Sequence, residues 1–215
     1  MNKKEKQTYI KRYVERFKKY GYSPEALGWF KERQPLRFHI LTSIDNVMNR
    51  SILDVGCGFA DLYDYLKKKG WQGSYAGIDI VPCLIEVAKA KYPEIDLQVK
   101  DILKKKINRK FDYVFGSGIF NAKFSNMESY IKKILRKMFD LSKCGVAVDF
   151  MSNYVDFKNN IAYYASPEKI FKICKGLTKR VILRYDYMPY EFAIYMYKND
   201  NINKDKNVFE AVNII

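Results

Sequence analysis

Histidine is almost missing from this chain: His39 is the single one in 215 residues. Cysteine is scarce too, with Cys57, Cys83, Cys144 and Cys174 too far apart to make a CxxC pair. Structural zinc needs four closely spaced Cys or His ligands, so no metal centre is expected. The scattered thiols read as reduced cysteines of a cytoplasmic protein. No run approaches the ~20 apolar residues that cross a bilayer, and no membrane span is expected. The charged start, MNKKEKQTYIKRY, has no apolar segment behind it and does not read as a secretory signal. A GxxxxGK[ST] loop is absent, which excludes a P-loop nucleotide site. Internal repeats and low-complexity linkers are absent as well.

Acids are the minority sign. There are 24 Asp+Glu against 39 Lys+Arg, a net charge of +15. Such a surplus is the footprint of a nucleic-acid binder. Its composition points elsewhere. Of the 39 cations 30 are lysine, accompanied by 14 asparagines. Arginine is the residue that favours base-reading contacts. The lysines are also spread over helix faces, as at 67–69 and 132–133. The surplus is read as the Lys/Asn bias of an AT-rich genome, with an RNA substrate as the alternative.

Apolar residues make up 48% of the chain, enough for one well-filled domain. Residues 1–48 read as an N-terminal helical cap: Tyr9, Ile10, Tyr13, Val14, Phe17 and Tyr20 repeat at helical spacing, and Gly21 stops them. Ser23-Pro24-Glu25 starts a short helix, and a third runs from Arg37 to Val47. From 49 to 198 strand and helix patterns alternate. Strands are expected at 52–55, 74–80, 95–100, 111–118, 146–151, 180–185 and 192–197. Ser125-Asn126-Met127-Glu128 reads as a capping box that opens a helix. The last two strands have only a tight connection and should form an antiparallel hairpin. Residues 199–215 read as a C-terminal tail, polar and loose over 199–207. The fold class is α/β: a Rossmann-like, doubly wound, seven-stranded sheet with an antiparallel last strand.

Open α/β sheets bind ligands beyond the carboxyl ends of their strands. The first strand ends in Asp54-Val55-Gly56-Cys57-Gly58, where glycine permits a tight turn and close approach of a ligand. Asp79, the last acid of the second strand, lies 21 residues after Gly58, a spacing that suits hydrogen bonds from ribose hydroxyls. The loop is not GxGxxG, because its third glycine is missing. Asp54 and Asp61 stand where a pyrophosphate would lie and would repel it. Two carboxylates suit a ligand with an amino or sulfonium cation, so S-adenosylmethionine fits better than a dinucleotide.

Four segments in order carry a resemblance: ILDVGCGFAD, YAGIDI, Lys100-Asp101-Ile102 and FDYVFGSGIF. Over roughly residues 34–198 the chain resembles a class I S-adenosylmethionine-dependent methyltransferase. The resemblance implies roles. The backbone of Gly56, Cys57 and Gly58 would pass the methionine part of the cofactor, with Asp54 and Asp61 near its amine. Asp79 would take the ribose hydroxyls, Ile80 would pack on the adenine, and Asp101 would accept from its amino group with Ile102 on the ring. Carbonyls of Gly116 and Ser117 would face the methionine amine, and Arg37 could pair with the cofactor carboxylate.

The same strand end bears on the acceptor. Enzymes that methylate exocyclic base amines share a polar-Pro-Pro-aromatic turn there, and Gly116-Ser117-Gly118-Ile119-Phe120-Asn121 has no proline. Cytosine-C5 enzymes need a nucleophilic cysteine, whereas Cys83 reads as a helix-face residue. Trp29, Lys31, Phe120, Asn121, Tyr163, Tyr164 and Tyr190 are expected to line a pocket for a small polar acceptor. His39 is the candidate general base. The stretch 20–38, YGYSPEALGWFKERQPLRF, resembles small methyltransferases of bacterial surface-glycan clusters, which implies a glycan precursor as acceptor.

Overall fold

The computed structural model describes residues 1–29 and 33–212. Three helices come first: α1 (Lys3–Tyr20), α2 (Pro24–Leu27) and α3 (Gln34–Thr42). Asn2 caps α1, accepting from Glu5 N while the Glu5 side chain accepts from Asn2 N, a full capping box. The alternating part follows as β1 (Ile52–Val55), α4 (Asp61–Lys68), β2 (Tyr75–Asp79), α5 (Pro82–Lys91), β3 (Asp96–Val99) and β4 (Phe111–Gly116). It continues with α6 (Met127–Leu141), β5 (Ser142–Met151), α7 (Pro167–Lys175), β6 (Val181–Met188) and β7 (Glu191–Tyr197).

The seven strands order as β3-β2-β1-β4-β5-β7-β6. β1 to β5 pair in parallel, and β7 runs antiparallel to both β5 and β6. Side chains alternate across a strand, so each strand feeds two cores. Leu53, Ile78, Val114, Val148 and Ile194 face one side, under Ile131, Leu135 and Met138 of α6 and Ile170 of α7. Ile52, Phe115, Ala147 and Tyr195 face the other, with Leu41 of α3, Leu62 of α4 and Ile85 of α5. Tyr197 Oη donates to Ile44 O at 3.0 Å, and Tyr195 Oη donates to Ile40 O. These two bonds pin α3 and the segment after it to the sheet. A third cluster joins Tyr9, Tyr13 and Phe17 of α1 to Ala26, Phe59 and Leu84. α1 and α2 therefore pack over the carboxyl end of the sheet, and α3 packs on its face.

Two local expectations change. α6 has no capping box: Asn126 sits at the N-cap with φ 55° and makes no side-chain cap bond. Ser125 N donates instead to Glu5 Oε1 of α1 at 2.7 Å, so a tertiary partner has displaced the local one. The polar tail is not featureless either. β8 (Ile202–Asn203) and β9 (Val208–Phe209) pair as a small antiparallel hairpin.

Candidate active site

The turn after β1 is built by backbone. Gly56 N and Cys57 N both donate to Ile78 O of β2, at 2.7 and 3.1 Å. Gly56 has φ 74°, and a Cβ there would stand 2.5 Å from Ile119 Cγ2. Both its dihedral and its neighbour require glycine. Asp79 ties the turn to α5: Oδ2 accepts from Gly58 N at 3.0 Å and Oδ1 from Val81 N at 2.9 Å. A carboxylate offers about four lone-pair sites, so two remain for a ligand. Burial pushes its pKa up.

Asp54 lies deeper, at 5% exposure. Its Oδ2 accepts from Tyr75 Oη at 2.6 Å, and burial first, then the neighbouring carboxylates, raises its pKa to about 7. Asp61 opens α4 and accepts from Tyr22 Oη at 3.0 Å and Gln34 Nε2 at 3.2 Å. Asp101 accepts from Leu103 N at 3.0 Å and pairs with Lys6 Nζ of α1 at 2.8 Å. The Cys57 thiol is pushed well up by burial, which leaves it unreactive at neutral pH.

These groups surround a cavity with about 1090 Å³ of space free of protein atoms, its mouth included. Asp54, Gly56, Cys57, Gly58, Asp61, Asp79, Ile80, Asp101, Ile102 and Ser117 line it, as do Trp29 and Phe120. Tyr9 and Tyr13 of α1 and Leu27 of α2 form part of its wall. Gly116 stands behind the lining, where a Cβ would meet Ile119 Cδ1 at 2.7 Å. Four carboxylates meet at this cavity in a protein whose net charge is +15. Asp101 is paired with Lys6, and the acids gathered around the glycine turn suit a ligand that carries a cationic group.

Arg37 is not among the lining residues. It is buried, its Nε donates to Glu191 Oε2 at 2.6 Å, its Nη2 donates to Glu191 Oε1, and its Cζ lies 4.2 Å from the Trp29 ring centroid. A bidentate carboxylate partner from β7 holds the guanidinium there, and no sequence spacing announces it. His39 is exposed on α3 and outside the cavity lining. Asn121 adjoins the cavity, with Nδ2 3.3 Å from the position of a Cβ on Gly118. Tyr163, half-buried, packs against the α6 side of the sheet and donates its N–H to Asn121 O at 2.9 Å. Tyr164 Oη accepts from Asn159 N at 3.0 Å, and Tyr190 Oη bonds Asp156. Neither tyrosine is among the cavity lining: Tyr164 is held within its own loop, and Tyr190 by Asp156 of the β5–α7 connection. Lys31, together with Phe30, lies outside the described residues.

Sequence reasoning missed Asp149 of β5. It is 3% exposed and accepts from Ser117 Oγ and Gly118 N, both at 2.6 Å, so it holds the loop after β4. Burial raises its pKa to about 6. A lone acid in the apolar run VAVDFM was the available signal. Lys6 had no such signal, since nothing local pairs it with Asp101.

A sheet ordered 3-2-1-4-5-7-6 with an acid-lined cavity at its carboxyl ends has the Rossmann-like methyltransferase architecture. The family described as "Methyltransferase domain" matches residues 52–145. Rv1506c, a provisionally assigned methyltransferase of Mycobacterium tuberculosis, is 33% identical over 155 residues, 69% of this chain and 93% of that protein. A malonyl-[acyl-carrier protein] O-methyltransferase of Acetivibrio thermocellus is 27% identical over 100 residues, covering 46% of this chain and 35% of its own. Among solved structures, the magnesium protoporphyrin IX methyltransferase of Synechocystis PCC 6803 with bound S-adenosylmethionine superimposes with a TM-score of 0.65 at 16% identity, over 89% of this chain and 96% of its own. The human N-acetylserotonin methyltransferase gives 0.58 at 12% identity, over 90% and 66%. The chain belongs to the class I S-adenosylmethionine-dependent methyltransferases. It is an enzyme with S-adenosylmethionine as its cofactor. No helix among the described residues is long and apolar enough to cross a membrane.

Proposed function

We propose that the protein transfers a methyl group to an oxygen or nitrogen of a small polar metabolite, a surface-glycan precursor being the acceptor that its N-terminal stretch suggests. The observation that carries this reading is the roof. Tyr9 and Tyr13 of α1, Leu27 of α2 and Trp29 wall the cavity from above the sheet's carboxyl ends, which suits a small acceptor better than a polymer. The Synechocystis and human neighbours are named for small acceptors, a porphyrin and N-acetylserotonin. Free thiols throughout suit the cytoplasm as the site of action.

S-adenosylmethionine supplies an already activated methyl group, so the protein's task is alignment and exclusion of water. On this reading Asp79 takes the ribose hydroxyls on its two free lone-pair positions. Ile80 and Ile102 sandwich the adenine, and Asp101 accepts from its amino group once Lys6 gives way. Gly56 and Gly58 let the backbone approach the methionine part, while Asp54, Asp61 and Ser117 form an acidic, polar end for its amine. Among the described residues no cluster of His, Cys, Asp and Glu could hold a metal ion.

A second reading, an RNA acceptor, is favoured by the β3–β4 connection, where Lys104, Lys105, Lys106, Arg109 and Lys110 are all exposed or nearly so. Titration calorimetry with S-adenosylhomocysteine separates the readings, at two salt concentrations, with and without bulk RNA. The small-acceptor reading expects tight cofactor binding that RNA leaves unchanged. Salt-steep RNA affinity would move the assignment to RNA. Asp79→Ala removes two charge-assisted bonds of about 1.5–3 kcal/mol each, at least a hundredfold in affinity. Undiminished binding would sink the site assignment.

A further inference from the structure

Buried polar atoms almost always find a hydrogen-bond partner, and one that does not calls for an explanation such as a water, an ion or a ligand. Four such atoms stand at the carboxyl ends of β4 and β5: Arg37 Nη1, Asn121 Oδ1, Asn153 Oδ1 and Tyr187 Oη. They belong to one neighbourhood. The Arg37 guanidinium stacks on Trp29, and the Trp29 ring covers Gly118, where a Cβ would be 2.2 Å from Cζ2. Asn121 Nδ2 is 3.3 Å from the same point. Asn121 O accepts from Tyr163 N, and Ala165 O, two residues on, accepts from Asn153 N. Tyr187 sits within the field of Asp149, Glu191 and Arg37. Arg37 itself is 95% buried, at 5% exposure, with two of its nitrogens committed to Glu191.

The chemistry these atoms demand is mixed. Arg37 Nη1 can only donate and so needs an acceptor. The two amide oxygens can only accept and so need donors. The Tyr187 hydroxyl takes either. A carboxylate would satisfy the arginine and leave both amides unpaired. An ammonium group would do the reverse. Hydroxyl groups donate and accept at once, and neighbouring hydroxyls on one ring can serve both kinds of partner.

We propose that Arg37, Asn121, Asn153 and Tyr187 form the acceptor subsite, beside Trp29 and the Ser117-Gly118 wall, and that the subsite takes a polyhydroxylated, sugar-like molecule. This rests on the methyltransferase reading above and deepens it by assigning the acceptor class. Trp29 is the gate: it covers Gly118 and Arg37, and it must swing aside for the four atoms to meet a ligand.

The test is saturation-transfer NMR on the protein loaded with S-adenosylhomocysteine. The probes are the methyl glycosides of glucose, galactose, mannose and rhamnose, with acetate and propylamine as controls. At least one glycoside should show transfer, and the controls none. Asn121→Ala and Tyr187→Phe should each reduce that transfer at least fivefold. Calorimetry on the same samples should show cofactor affinity within twofold of wild type. Tyr187→Phe also removes a buried hydroxyl that has no partner in the free protein, so its melting temperature should equal or exceed that of wild type. A tyrosine kept for structure alone would melt lower when truncated. Bound S-adenosylhomocysteine with no glycoside transfer, transfer from acetate or propylamine alone, or transfer unchanged in both variants overturns the subsite. Absence of S-adenosylhomocysteine binding overturns the cofactor site first, and the subsite with it.

Discussion

Replacing Asp54 by asparagine should change the slope of stability against pH. In the folded protein burial holds the Asp54 pKa near 7, whereas the ordinary value is 3.8. Between those values the folded state keeps a proton that the unfolded chain has released. Stability therefore falls as pH rises through this window, by about 1.4 kcal/mol for each pH unit. The slope halves at pH 7, so from pH 5 to pH 8 the loss amounts to about 3 kcal/mol and is then complete. Asparagine cannot titrate. The stability of Asp54→Asn relative to wild type should rise by about 3 kcal/mol between pH 5 and pH 8. Asp149, raised to about 6, pushes the absolute curve the same way, and Asp112 and Asp200, lowered by their hydrogen bonds, push it the other way. Asp112 and Asp200 are common to both proteins and cancel in the difference, whereas Asp149, whose charge helps to raise Asp54, cancels only in part. The assay is urea unfolding without cofactor at four pH values. Curves that stay parallel to within about 0.5 kcal/mol would refute the buried-acid argument. A second readout uses the cofactor. A cationic amine beside Asp54 would favour its carboxylate form, so binding at pH 7 should release up to about half a proton from wild type and none from this group in the variant. Calorimetry in two buffers of different ionisation enthalpy counts that proton.

Two more perturbations test the cavity walls. Gly118 has φ 67° and the Trp29 ring against it, so Gly118→Ala should destabilise by about 2–4 kcal/mol, from left-handed strain and overpacking together; urea unfolding followed by Trp29 fluorescence checks both the loss and the displaced ring. Lys6 competes for Asp101, and a partly exposed pair is worth up to about 1 kcal/mol, so Lys6→Met should tighten S-adenosylhomocysteine binding by up to about fivefold; weaker binding by calorimetry would show that Lys6 helps to hold the adenine.

Much of the fold was legible because it is periodic. Ile52–Val55, Tyr75–Asp79 and Phe111–Gly116 are short apolar runs closed by acids or glycines, and DLYDYLKK and MESYIKKILRKMFDL carry a helical stripe. The glycine turn was legible for a related reason. Gly56, Gly58 and Asp79 build it through backbone conformation and strand position, which sequence spacing records. The side-chain pairs that hold the neighbouring loops were not. Arg37 meets Glu191 across 154 residues, and Ser117 meets Asp149 across 32. Such pairs depend on how α3 lies over β7 and how β4 sits beside β5. A capping box at Ser125 was sound local chemistry and lost to Glu5 of α1, because a partner brought by packing can replace one supplied by the turn.

The sequence alone therefore determined the strand–helix alternation, the glycine turn, the acid that closes β2 and the cofactor class. These follow from local conformational preference and from spacings along a strand. The tertiary structure alone decided which acids are buried, which cation meets which carboxylate, and where polar atoms are left without partners. Burial and orphaned hydrogen bonds are properties of packing: Asp54 and Asp64 are the same residue type ten positions apart, yet one is 5% exposed with its pKa near 7 and the other is a helix-surface partner of Lys68.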